Sequence, residues 1–126
     1  MKRRYKPFSI PNNIKQKEIN NYIKTKNNEM YITFLCEKKC GVVFADQYTS
    51  ELGNTLCKLN PDLDFVAIIN IGIGVVSFRT IKDDIDLGKD IAQKFGGGGH
   101  PKSAAMHFIA DIKNELITRI FTGGNI

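Results

Sequence analysis

The chain has 126 residues, of which 42% are hydrophobic and 25% charged. That length sits near the commonest domain size and excludes a multidomain enzyme, and no apolar run approaches the ~18 residues of a membrane-spanning helix, so the sequence predicts one soluble globular domain with no membrane partner. The formal net charge of +5 is concentrated in residues 1–26, which carry eight Lys or Arg against Glu18 alone, while the remaining hundred residues carry ten bases and twelve acids. The basic balance therefore describes a leader and not the domain behind it, and charge by itself does not make that domain a nucleic-acid binder. MKRRYKPFSI lacks the apolar core and small-residue cleavage site of a secretory signal, and Cys36, Cys40 and Cys57 are too few and odd in number for a disulfide framework. Both point to a cytoplasmic location with reduced thiols.

In chain order, residues 1–11 contain Pro7 and Pro11 and read as an extended lead-in. Asn12 or Asn13 caps a helix over 14–26, where Ile14, Ile19, Tyr22 and Ile23 give a narrow apolar stripe. Met30–Cys36 and Gly41–Ala45 are β-branched and aromatic and read as an antiparallel hairpin. Ser50–Leu59 has Leu52, Leu56 and Leu59 at helical spacing, with Thr49 or Ser50 placed to cap it and Pro61 to stop it. A second hairpin follows, Asp64–Asn70 and Val75–Arg79, turned through Gly72-Ile73-Gly74; a strand and not a helix comes next, so these glycines are a hairpin turn and not a dinucleotide motif. Asp83, Asp84 and Asp86 precede a helix over Leu87–Phe95, where acids suit the positive end of the helix dipole. Ala105–Ala110 reads as the last strand and Ile112–Phe121 as a closing helix. The order α, β, β, α, β, β, α, β, α implies an α/β fold: a single domain with a mixed sheet of about five strands flanked by helices.

Composition does not explain Gly96-Gly97-Gly98-Gly99-His100-Pro101-Lys102-Ser103. One glycine suffices to end a helix in a left-handed cap, and four give up backbone entropy that a plain turn keeps. Consecutive glycines permit a concavity lined by backbone N–H groups, which binds phosphate, and His100, Lys102 and Ser103 offer donors at its rim. The competing reading is a flexible connector; the His and Lys directly after the glycines favour the anion site. Arg79, at the end of a strand of apolar and small residues, is the second candidate, since a guanidinium grips phosphate through two parallel hydrogen bonds.

VSFRT, ending at Thr80, and DDIDLGKDIAQKFGGGGHPKSAA, Asp83–Ala105, resemble the DHH-associated domain, subtype one, of the DHH phosphoesterase superfamily, whose signature is a GGGH loop with an upstream Arg. FADQYTSELGNTL, Phe44–Leu56, is similar to the corresponding stretch of the oligoribonuclease, or nanoRNase-like, phosphodiesterases. The resemblance runs from about Glu29 to Ala110. It implies a substrate-binding domain that holds the phosphate of a short single-stranded oligonucleotide or nucleotide, while a separate N-terminal DHH catalytic lobe holds a manganese pair and hydrolyses the phosphodiester. Carried over by position, it implies that Arg79, Gly96, Gly97, Gly98, Gly99 and His100 bind substrate phosphate. Lys102, Ser103 and Asn54 are further candidate substrate contacts, with helix capping the competing role for Asn54. Where the family pattern ends in Gly, Ala105 stands here.

No DHH triplet occurs, and His100 and His107 are the only histidines. The chain is therefore expected to carry no catalytic residue, metal or cofactor, and to be inactive in hydrolysis by itself. Residues 1–28 resemble the C-terminal part of the linker between lobes and 29–126 the substrate-binding domain, so the chain is expected to be a fragment. A free-standing, non-catalytic nucleotide-binding regulatory module is the alternative, and a single-strand binder using the basic leader is a third reading. The aspartates at 83, 84 and 86 read as helix-capping residues, the cysteines as idle thiols without the second pair a zinc site needs, and His107 as a structural histidine within the last strand.

Overall fold

A computed structural model describes residues 12–108 and 111–122. Its elements are helix α1 (Asn12–Asn28), strands β1 (Tyr31–Leu35) and β2 (Lys38–Phe44), helix α2 (Thr49–Leu59), strands β3 (Phe65–Asn70) and β4 (Val75–Arg79), helix α3 (Leu87–Asp90), a 3-10 turn (Ala92–Phe95), strands β5 (Gly98–His100) and β6 (Ser103–His107), and helix α4 (Ile112–Thr122). The strands form one mixed sheet in the order β1-β2-β3-β4-β6-β5, with β2 and β3 parallel and every other neighbouring pair antiparallel.

Alternation along the strands sends side chains to two separate cores. On one face, Val43, Val66 and Ile68 pack under Ile19 and Ile23 of α1 and Leu52 and Leu56 of α2. On the other, Phe65, Ala67, Phe78 and Ala104 pack against Leu87, Ile91 and Ala92, with the rings of Phe65 and Phe78 edge to face at 5.9 Å. Cys40 and Cys57 are buried, which pushes their thiols up to about 12 and about 11 and leaves them protonated and unreactive.

Five details depart from the sequence reading. The helix over 87–95 is broken at Ile91, whose φ of −121° is not helical. The chain must reverse into β5 within three residues of Phe95, and the tighter 3-10 winding makes that turn. A sixth strand, β5, lies in the glycine run, which has no strand propensity of its own. The last strand occupies Ser103–His107 in place of 105–110, because its register is set by Arg79 and Val75 of β4; residues 109–110 and the lead-in 1–11 lie outside the described residues. Helix α2 is capped by neither Thr49 nor Ser50. Tyr48 occupies the cap position at φ 54° without a side-chain bond, its ring edge-on to Tyr22 of α1 at 5.7 Å. Helix α1 runs two residues further at each end than the expected 14–26, a usual scatter for helix ends.

Asp64 ties the start of β3 to both neighbouring strands. Its N–H donates to Lys39 O at 2.8 Å, its carboxylate accepts from Lys39 N at 2.8 Å and from Lys82 Nζ at 3.4 Å, and its carbonyl accepts from the buried Thr80 hydroxyl at 2.7 Å. The Lys39 N–H holds the carboxyl below its ordinary value of 3.8. A depressed carboxyl contributes stability that is present above its unfolded pKa and lost as pH falls through the folded one. Asp64→Ala should therefore cost about 1–3 kcal/mol in denaturant unfolding at neutral pH. Asp64→Asn should flatten the loss of stability below pH ~4 relative to the native chain.

Candidate functional site

The sequence candidates converge at one end of the sheet. Arg79, the last residue of β4, lies beside Ser103 of β6, and Ser103 lies beside His100 of β5. Lateral neighbours share a face, so Arg79, Ser103 and His100 form one row across three strands, about 10 Å long at the ~4.8 Å strand spacing. It lies on the face that α2 covers further in, and there α2 ends its cover at Gly53: a Cβ added to Gly53 would stand 2.4 Å from Arg79 Cγ. The glycine lets the aliphatic stem of Arg79 lie across the helix.

Arg79 is half-buried, and burial pulls its pKa below the ordinary guanidinium value. Nη1 donates to Phe78 O at 2.9 Å. The ion pairs among the described residues are Lys26–Glu29, Lys39–Asp62, Lys82–Asp64 and Lys102–Asp83, so no carboxylate there neutralises Arg79. A partly desolvated guanidinium with most of its donors uncommitted is an anion-binding group.

The four glycines, expected as one phosphate-facing loop, divide between two tasks. Gly96 caps the 3-10 turn at φ 82°, and its N–H bonds Gln93 O at 3.2 Å. At Gly97 a Cβ would meet Ala105 O at 2.2 Å, and at Gly99, with φ 143°, it would meet Ala104 Cα and Ser103 O at 2.6 Å, so both are needed for β5 to approach β6. Gly96 and Gly98 both have open space where a Cβ would stand, and of the two only Gly98 lies in β5. It is exposed, two residues before His100 and opposite Ala105, and its strand is an edge of the sheet whose outer main-chain groups have no strand partner. The run thus ends in an extended edge, Gly98 to His100, and not in a concave loop.

The hairpin that presents this edge is held from behind. Leu87 N donates to Pro101 O at 2.8 Å, Thr80 N donates to Lys102 O at 3.3 Å, and Gly88 lies against the Gly99 carbonyl, where a Cβ would come within 2.7 Å. Asp86 caps α3 through Lys89 N at 3.1 Å. Lys102 is engaged by Asp83 at 2.6 Å, which holds that carboxyl below its ordinary value. Asn54 is exposed on α2 immediately after Gly53, with no hydrogen bond to the row among the described residues. His107 pairs with Val75, four residues along β6 from Ser103 and so about 13 Å away. The role of Gly53 was not visible in the sequence reading; the signal for it was a glycine in a helix interior, where it costs about 1 kcal/mol relative to alanine.

Among the described residues no group of three or more His, Cys, Asp or Glu converges, and Asp64, Asp83 and Asp86 are occupied by Lys39, Lys102 and the Lys89 N–H. These residues do not fit the manganese pair that the family resemblance assigns to a separate lobe.

No family model matches the chain. It is homologous to the oligoribonuclease NrnB of Bacillus subtilis, with 40% identity over 108 residues, which cover 86% of this chain and 27% of that protein. The chain thus spans about a quarter of the length of the curated relative it matches. An uncharacterized protein from Helicobacter pylori G27 shares the fold, with a TM-score of 0.61 and 22% identity over 94% of this chain and 35% of that one. A pGpG-specific phosphodiesterase from Vibrio cholerae aligns over 93% of this chain and 44% of that one, with a TM-score of 0.45 and 13% identity.

The division among the glycines is open to a direct test. Gly97→Ala and Gly99→Ala should each lower stability by about 1–3 kcal/mol in thermal or denaturant unfolding, because backbone atoms must move. Gly98→Ala should leave it unchanged or raise it by up to about 1 kcal/mol.

Proposed function

We propose that this chain is the C-terminal substrate-binding domain of a DHH-family phosphodiesterase that acts on short single-stranded oligonucleotides or nucleotides. The carrying observation is Arg79: a half-buried cation with no carboxylate partner among the described residues, in one row with Ser103 and His100 beside an open edge of glycine backbone. A bound phosphate accepts two bonds from the guanidinium, further bonds from the Ser103 hydroxyl and His100, and main-chain N–H bonds from the β5 edge. The homology to a protein named an oligoribonuclease, confined to the C-terminal part of it, supports this reading.

On this reading residues 29–126 form the binding domain and residues 1–28 the linker, and the domain's contribution is to position. Gly53 sets the path of the Arg79 stem, the pair of backbones at Gly97 and Gly99 sets the edge, and α3 holds the hairpin from the far face. Hydrolysis belongs to an N-terminal DHH lobe, which would supply the manganese pair and close the other side of the cleft. Binding by the isolated chain is weak, since half the contacts are missing, and falls with salt because phosphate contacts dominate it. The reading places the protein in the cytoplasm, where such substrates arise.

Titration of a fluorescently labelled di- to pentanucleotide tests the assignment. Arg79→Ala should weaken binding by about 10-fold or more, the value of a charge-assisted hydrogen-bond pair, and should reduce the salt dependence. Equal affinities for the native chain and Arg79→Ala overturn it. Gly53→Ala should also weaken binding, with no loss of helix content, because the added methyl displaces the Arg79 stem.

A further inference from the structure

The sheet has a second open edge, β1, at the end opposite the candidate site. Edge strands are ordinarily blunted by lysine, proline, a bulge or a short length. Strand β1 reads Tyr-Ile-Thr-Phe-Leu, carries no charge and no proline, and pairs with β2 in unbroken register over all five residues. Its apolar side chains stand exposed on both faces, Tyr31 at 68%, Ile32 at 50% and Phe34 at 69%. Nothing among the described residues covers them.

Hairpin geometry says which main-chain groups are free. Cys36 and Glu37 both have positive φ, 53° and 65°, and form a two-residue type I′ turn flanked by the pair Leu35 and Lys38. In such a hairpin the flanking pair exchanges both of its hydrogen bonds. Leu35, Thr33 and Tyr31 therefore direct their N–H and C=O groups at β2, and Ile32 and Phe34 direct theirs outward.

We infer that β1 pairs antiparallel with β1 of a second copy of the chain, about a two-fold axis at Thr33, and joins the two sheets into one of twelve strands. This register is self-complementary at every position. Ile32 stands opposite the other copy's Phe34, and as both have outward main-chain groups, the two symmetric pairs exchange four N–H···O=C bonds. Thr33 meets its own copy in a pair that shares no main-chain bonds, where side chains approach most closely. Tyr31 stands opposite Leu35 on the same face as Thr33. Each exposed aromatic gains an aliphatic partner, and such cross-strand side-chain pairs stabilise a sheet. A one-residue slip would set the outward Ile32 and Phe34 against groups already committed to β2. The occupant is a second copy because the match of outward bonding groups and of aromatic to aliphatic positions is that of the strand with itself. The two Arg79–Ser103–His100 rows remain at the outer edges of the joined sheet, so the pairing does not depend on the proposed function.

Sedimentation velocity on the native chain over the micromolar range should show a concentration-dependent monomer–dimer equilibrium. Both substituted positions are exposed, so Ile32→Lys/Phe34→Lys and Ile32→Glu/Phe34→Glu should keep the native circular dichroism spectrum while each shifts to monomer, because like charges then stand opposite each other. Mixing the two variants should restore a one-to-one dimer. Thr33→Cys in a Cys36→Ser background should cross-link through a disulfide under mild oxidation, and Ile32→Cys in the same background should not. A native chain that stays monomeric at every concentration overturns the inference, as it would if β1 were covered by another protein or by residues outside this chain. So does a dimer that persists in both charged variants, or a dimer in which Thr33→Cys fails to cross-link.

Discussion

The site end of the molecule rests on three backbones meeting without side chains between them. β5 lies on β6 only because Gly97 and Gly99 present no Cβ to Ala105 O, Ser103 O and Ala104 Cα, and α3 reaches the underside of β5 only because Gly88 presents none to the Gly99 carbonyl. This close approach makes a strand out of three residues, Gly-Gly-His, whose own preference is for a turn. Once the strand exists, register does the rest: His100 must face Ser103, and Ser103 must face Arg79. A string of hydrogen bonds from Leu87 to Pro101 and from Thr80 to Lys102 then holds the hairpin to the rest of the sheet. The row of polar groups is thus a consequence of backbone contact elsewhere, and the residues in it are not required to hold one another.

Much of this was legible from residue patterns. The β-branched and aromatic runs at 30–36, 41–45, 64–70 and 75–79 stand within a residue or a few of β1 to β4, because strands buried on at least one face must supply that surface and little else in the sequence competes for it. Helices α1, α2 and α4 follow from 3.6-residue spacing in the same way. The mixed character of the sheet followed from the order of elements. Arg79 and the glycine run also stood out, the one as a long cation at the end of a strand otherwise made of apolar and small residues, the other as a composition no single turn requires.

What was not legible depends on contacts far apart in sequence. Four glycines in a row look alike, yet Gly97 and Gly99 meet backbone while Gly96 and Gly98 meet nothing, a distinction that exists only once β6 lies beside them. Gly53 reads as a weak point of α2 until Arg79, 26 residues later, is found lying across it. The break at Ile91 breaks no periodicity, since Leu87, Ile91 and Ala92 are all fully buried, and it arises from the need to reverse direction. Lys102 looks like a rim cation beside His100, but Asp83, itself assigned to helix capping by position, takes its ammonium while Asp86 does the capping. Local propensity identifies which element a residue joins, whereas partner choice between charges is decided by the tertiary path.

The same logic reconciles the proposed anion site with a domain whose residues beyond 26 carry more acids than bases. Screening confines the influence of an exposed charge to about 8 Å at physiological ionic strength, so the sum over the chain matters less than which charges stand unneutralised at one place. Lys39, Lys82 and Lys102 are each matched by an aspartate, and the acids so occupied contribute little field beyond their partners. Arg79 is left unmatched among the described residues where desolvation strengthens its interactions, in one row with the open β5 edge. The two edges of the sheet consequently differ in kind. At β1 the exposed main chain is flanked by bulky apolar side chains and suits another strand of the same sort; at β5 it is flanked by glycines, with Ser103 and the unmatched Arg79 in the same row, which is the environment on which the proposed phosphate site rests.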